Sequence, residues 1–165
     1  KGSLLEEHPN ADLRGVETST GSLGHGLSFG AGLALGAKIN KSKFKIFVLI
    51  SDGECNEGTT WEAVLFSSAK KLDNLTIIVD YNKWQATGRS NDIMNLNPLH
   101  KKFESFGCNV IEINGHNFDQ LNKVLWAAGI TIDVKKKYSF RFDMLIIKFE
   151  TFLISKMTEL LIKIF

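Results

Sequence analysis

The chain has 165 residues, 44% of them hydrophobic, and a formal net charge of +2. That length fits one domain with a real core, and so small a charge argues against nucleic acid or an acidic membrane surface as partner. Two cysteines, Cys55 and Cys108, form no metal or disulfide framework, and with no secretory signal and no apolar run of about 18 residues a reducing, cytoplasmic setting is expected.

Residues 1 to 22 read as loop, with turn signals at His8-Pro9-Asn10 and Arg14-Gly15. The chain opens abruptly, as a truncated N-terminus would. From Leu23 to Asn40 apolar and small residues recur at helical spacing. The glycines there would each cost a helix about 1 kcal/mol relative to Ala. A sheet, a partner subunit or a cofactor is therefore expected to pack very close. Phe44 to Ile50 is a nearly continuous apolar run, as in a central parallel strand covered on both faces.

Thr59-Thr60-Trp61-Glu62 offers a capping box for a helix reaching about Lys71. Asp73-Asn74 end it, and Leu75 to Val79 reads as a second strand. Asn82 to Asp92 is a loop. Asn97 as cap and Pro98 in the first turn predict a helix that stops at Gly107. Cys108 to Ile113 reads as a third strand and Phe118 to Ala128 as a helix. This alternation predicts an α/β fold, a parallel sheet with helices on both faces. After Ala128 the composition shifts to Lys, Ile and Phe without clear turns. The expected division is a domain over 1–128 and a divergent tail of uncertain fold over 129–165. Within the tail, 137–149 offers a strand and 150–165 an amphipathic helix.

The two apolar runs lead into Asp52 and Asn82. If the strands lie parallel, both residues emerge at carboxyl ends, the edge where open α/β sheets bind ligands. A carboxylate, a carboxamide and nearby backbone carbonyls make an all-oxygen set, which suits Mg²⁺ or Ca²⁺ better than zinc. Gly53 lets backbone approach a bulky ligand. The plainer reading is a polar pair that caps strand ends.

Ser51-Asp52-Gly53-Glu54, with Asn82 thirty residues beyond Asp52, resembles the thiamine-diphosphate motif of the transketolase family. Ser51 stands where that motif usually has Gly. Upstream, Glu17-Thr18-Ser19-Thr20-Gly21-Ser22-Leu23-Gly24-His25-Gly26 is also similar to the family, above all to split bacterial transketolases whose N-terminal half is a separate chain. The resemblance covers roughly residues 4 to 122 and implies the thiamine-diphosphate-binding fold.

The resemblance also implies roles. Asp52, Asn82 and the backbone carbonyl of Trp84 would hold Mg²⁺ or Ca²⁺. The backbone at Gly53 and Glu54 would meet the diphosphate, with the Glu54 side chain as a structural hydrogen-bonding residue. Gly21, Ser22 and Leu23 would lie beside the thiazolium and pyrimidine rings, although Ser22 also reads as a helix cap. His8 falls thirteen residues before Gly21, the place of a family histidine that binds the donor sugar's hydroxyls, and is the catalytic candidate. Glu57 matches a dimer-interface position. His25 is expected to pack beneath the site, and His100 and His116 to lie at the surface. Trp61, Trp84 and Trp126 read as core or interface. Cys55 has no visible base to activate it. The Gly21 to Gly26 stretch follows no strand and is not the nucleotide fingerprint of a Rossmann domain.

The family reaction moves a two-carbon ketol unit between sugar phosphates. A glutamate on a second, pyrimidine-binding domain drives deprotonation of the cofactor, and that domain is not in these 165 residues. A partner chain is implied, in a homo- or hetero-oligomer. Two alternatives stand beside this: one chain of another thiamine enzyme, such as deoxyxylulose-phosphate synthase or a 2-oxo-acid dehydrogenase, and a degenerate, non-catalytic module.

Overall fold

A computed structural model describes residues 8–128, 143–148 and 162–164. Five strands form one sheet: β1 (Ile46–Ser51), β2 (Leu75–Tyr81), β5 (Asn109–Asn114), β6 (Asp143–Lys148) and β7 (Ile162–Ile164), in the order β5-β6-β2-β1-β7. β1, β2, β6 and β5 run parallel, and β7 pairs antiparallel with β1. Trp84–Gln85 (β3) and Gly88–Arg89 (β4) form a separate small hairpin, followed by a single helical turn, α3 (Ser90–Ile93).

The continuous apolar runs have the expected cause: both faces are covered. Ile46, Val48, Ile50, Leu75, Ile77 and Val79 point into a core shared with α1 (His25–Ile39), α2 (Gly58–Ala69) and α4 (Leu99–Ser105). Phe47 and Ile78 face the opposite way, with Leu121, Val124 and Leu125 of α5 (Phe118–Ala128) against their cluster. Side chains alternate along a strand, so an unbroken apolar run marks a buried strand. The chain is thus α/β, a mostly parallel sheet with helices on both faces. Among the described residues no helix is long and apolar enough to cross a membrane.

Several helix ends differ from expectation. α2 begins at Gly58, capped by Glu57 without a side-chain bond. Thr59, predicted as its cap, instead donates its hydroxyl to Gly24 O at 3.1 Å. A tertiary acceptor has displaced the local one. α1 is capped by Gly24 in the left-handed region (φ 80°), with no side-chain cap from Ser22. α4 starts one residue late, after Pro98 rather than Asn97. In the tail, the strand offered within 137–149 is β6, which lies between β2 and β5. The helix offered over 150–165 lies outside the described residues except at 162–164, which are strand.

Candidate functional site at the carboxyl edge of β1 and β2

β1 and β2 pair in register from Ile46–Leu75 to Ser51–Asp80. The ladder continues one step, since Asp52 N donates to Asp80 O at 3.1 Å. Asp52 is fully buried and Asn82 is 8% exposed. Asp52 Oδ2 accepts the backbone N–H of Lys83 at 3.1 Å. Lys83 reaches it from a left-handed conformation, φ 67°, uncommon for a residue other than Gly. The acid of one strand end thus grips the backbone just past the amide of the next.

Asn82 is fixed on both sides. Its Nδ2 donates to Asp80 Oδ2 at 3.0 Å, and its Oδ1 accepts Trp84 N at 2.7 Å. A carboxamide oxygen has a second lone pair, so Oδ1 keeps acceptor capacity. Burial pushes the Asp80 carboxyl up to about 6; the Asn82 amide opposes the shift and the Asp52 charge adds to it. Burial likewise raises Asp52, against the pull of the Ser90 hydroxyl and the Lys83 amide. Ser90 lies near enough to favour the charged acid but makes no hydrogen bond of ordinary geometry.

Buried polar atoms normally find partners. Here Asp52 Oδ1, Asp80 Oδ1, Gln85 Nε2 and Ser90 Oγ have none. Gln85 belongs to this group because its Cγ would lie 3.2 Å from a Cβ on Gly53. Two neighbouring buried acids, with oxygens unmet, are the donor chemistry a hard cation relieves. The residues therefore fit the hard cation they are expected to hold. No cluster of three His, Cys, Asp or Glu side chains occurs among the described residues. The expected set needs only one such side chain, with an amide and a carbonyl.

The turn after Asp52 is a short 3-10 helix, Gly53–Asn56. Ser51 and Glu54 cap each other: Glu54 N donates to Ser51 Oγ at 3.2 Å and Glu54 Oε2 accepts Ser51 N at 3.0 Å. This gives Ser51, the departure from the family motif, a positive role. Glu54 Oε1 accepts Gly24 N at 3.1 Å. Both carboxylate oxygens and the amide of Glu54 are thus engaged within the chain. Burial raises its pKa first, the Ser51 and Gly24 amides oppose that, and Glu57 adds to it.

Gly21, Ser22 and Leu23 precede that junction on the surface, Leu23 at 51% exposure. The His8 ring lies against Gly21, with Cδ2 3.2 Å from where a Cβ would stand. The structure thus places His8 beside Gly21. His25 is exposed, its Nδ1 3.1 Å from Leu23 O, so it does not pack beneath the site. His100 is half-buried against Glu112 at 3.1 Å rather than free at the surface. Glu57 is exposed. Trp61 packs on Phe103 and Phe106, Trp84 lies under the Arg89 guanidinium, and the Trp126 side chain lies outside the described residues. Cys55 is buried, and burial holds its thiol well above the usual range, so it is not activated.

Asp80, Gln85 and Ser90 were not singled out from sequence. For Asp80 a signal existed: residues two apart in a strand share a face, so an acid in Val79-Asp80-Tyr81-Asn82 points the same way as Asn82. For Gln85 and Ser90 no local pattern separates them from ordinary loop residues.

Residues 2–140 match the family profile described as "Transketolase, thiamine diphosphate binding domain". One chain of the apulose-4-phosphate transketolase of Phocaeicola vulgatus is 41% identical over 120 residues, which is 73% of this chain and 43% of that protein. The corresponding subunit of Actinobacillus succinogenes is 52% identical over 116 residues, 70% of this chain and 42% of that one. The crystal structure of transketolase from Campylobacter jejuni superposes with a TM-score of 0.73 at 30% identity, covering 86% of this chain and 22% of that one. The chain spans only about two-fifths of the curated relatives it matches. With the buried acid, the fixed amide and the parallel sheet that carries them, the match makes this chain a member of the transketolase family, built on its thiamine-diphosphate-binding domain.

Proposed function

We propose that the chain is the cofactor-binding part of a split transketolase, which transfers a two-carbon ketol unit between sugar phosphates together with a partner chain. The observation that carries this reading is the set of unmet buried polar atoms around Asp52, on a family domain that binds thiamine diphosphate. Relatives whose names mark them as one subunit of a transketolase support a second chain.

In this reading Asp52 Oδ1, Asn82 Oδ1 and the Trp84 carbonyl hold Mg²⁺ or Ca²⁺, with Asp80 fixing the Asn82 amide. Gly53, whose missing side chain lets Gln85 pack against the turn, presents its backbone to the diphosphate. Gly21, Ser22 and Leu23 form one wall for the rings, and His8 meets the donor sugar's hydroxyls. When bound, the cofactor supplies the carbanion and the electron sink. The chain contributes binding, orientation and a dry polar floor. Relatives are named for apulose 4-phosphate and for 6-deoxy-6-sulfo-D-fructose, so the sugar varies within the family.

Calorimetry with Mg²⁺ and thiamine diphosphate, partner chain present, tests the proposal. Wild-type uptake that Asp52→Ala weakens at least about a hundredfold is expected, since a charge-bearing metal ligand is removed. A wild-type chain that takes up no cofactor with or without the partner would sink it.

A further inference from the structure

The ring-facing segment and the diphosphate-facing turn come from stretches about thirty residues apart, and one side chain joins them. Glu54 Oε1 accepts Gly24 N at 3.1 Å while Oε2 accepts Ser51 N at 3.0 Å. Hydrogen bonds to an ionised acceptor are roughly twice as strong as neutral ones. Thr59 holds the other side of the same residue, donating Oγ1 to Gly24 O at 3.1 Å. Gly24 sits at φ 80°, and a Cβ there would lie 2.4 Å from Thr59 Oγ1 and 2.7 Å from Glu57 Cβ. Gly24 is therefore clamped from three directions, and Gly21 to Leu23 are placed by it.

The turn itself has other supports. Asp52 N donates to Asp80 O and Cys55 N to Asp52 O, each at 3.1 Å. Thr60 Oγ1 donates to Glu54 O at 2.7 Å. Cutting one hold on Gly24 loosens the segment but leaves the turn held.

We infer that Glu54 is a positioning residue: it sets the spacing between the Gly21–Leu23 wall and the Asp52–Gly53 turn, so that one ligand meets both without a further ordering cost. The inference rests on the thiamine diphosphate reading above. A preset spacing favours a ligand that touches both halves and is neutral for one that touches the turn alone.

That difference is measurable. Glu54→Gln puts an NH₂ where an acceptor was, so whichever amide it abandons, the bridge is left one-ended. Thr59→Val keeps the shape and removes the hydroxyl that holds Gly24. The full chain with its partner is titrated with thiamine diphosphate and Mg²⁺ and, separately, with inorganic diphosphate and Mg²⁺. Each variant is expected to weaken thiamine diphosphate about tenfold and inorganic diphosphate less than about twofold, the scale of one hydrogen bond. Asp52→Ala should weaken both. Equal loss of both ligands in Glu54→Gln and Thr59→Val, or a fall in metal-free melting temperature with no such split, overturns the inference. If Glu54→Gln fails to fold, Thr59→Val carries the same expectation alone. A wild type that binds neither ligand fails the functional reading itself and takes the inference with it.

Discussion

Asp80 is 1% exposed, next to a second buried acid, and its carboxyl is raised from 3.8 to about 6, first by burial. The folded chain therefore keeps this proton to a higher pH than the unfolded chain does. Linkage then runs opposite to that of a salt-bridged acid: stability of the metal-free chain is highest below about pH 4 as far as Asp80 is concerned, falls as pH rises to about 6, and levels off above. The shift corresponds to about 3 kcal/mol across that window. Asp80→Asn, isosteric and uncharged, should flatten the slope while its oxygen still accepts from Asn82. Urea denaturation in EDTA at pH 4, 5, 6 and 7 checks this, and identical slopes in both proteins would refute it. Asp80 also shows what was legible one residue at a time. Asp52 and Asn82 could be found because each ends an apolar run. Asp80 lies just past such a run but inside the observed strand β2, and is visible only through the two-residue period of a strand.

At the level of elements, α1 tests how its glycines are used. A Cβ on Gly30 would sit 2.3 Å from Val48 Cγ2, so this position is where the helix meets β1. Nothing lies within 4 Å of a Cβ on Gly32. Gly30→Ala should therefore destabilise the chain by about 1–3 kcal/mol through overpacking. Gly32→Ala should stabilise it by up to about 1 kcal/mol, the helix-interior penalty of Gly. Equilibrium unfolding of the two variants reads the contrast directly; a shift of the same sign in both would undo the account. The close packing expected of this glycine-rich helix is thus met by the sheet at one position and not at the other. Strands were legible because burial on both faces writes an unbroken apolar run. Helix starts were not, because Thr59 and Gly24 serve a contact between α2 and the start of α1 that local capping rules do not see. Nor does any local period announce that β6 lies between β2 and β5.

For the whole molecule, the question is what this chain does alone. In the proposed reading its contribution to the site is a floor and one wall. Leu23 is 51% exposed at that wall, and Phe29, Leu65 and Phe66 add large exposed apolar surface on α1 and α2 at 44%, 57% and 38%. The acids nearest the floor are turned away from such work: Glu54 has both oxygens on backbone amides, and Asp52 and Asp80 are buried, with their unmet oxygens assigned in the proposed reading to the metal site. None of the three is available to work on a ring lying beyond Leu23. Under the proposed function, the carboxylate that activates the cofactor comes from outside this set, from the partner chain. The isolated chain should show no ketol transfer from xylulose 5-phosphate to ribose 5-phosphate, even with saturating Mg²⁺ and thiamine diphosphate. Adding the chain that carries the pyrimidine-binding half should restore turnover, which should rise with the partner and level off once every copy is paired. Robust turnover by the purified chain alone would refute the division of labour, because the needed acid would then have to lie within these 165 residues.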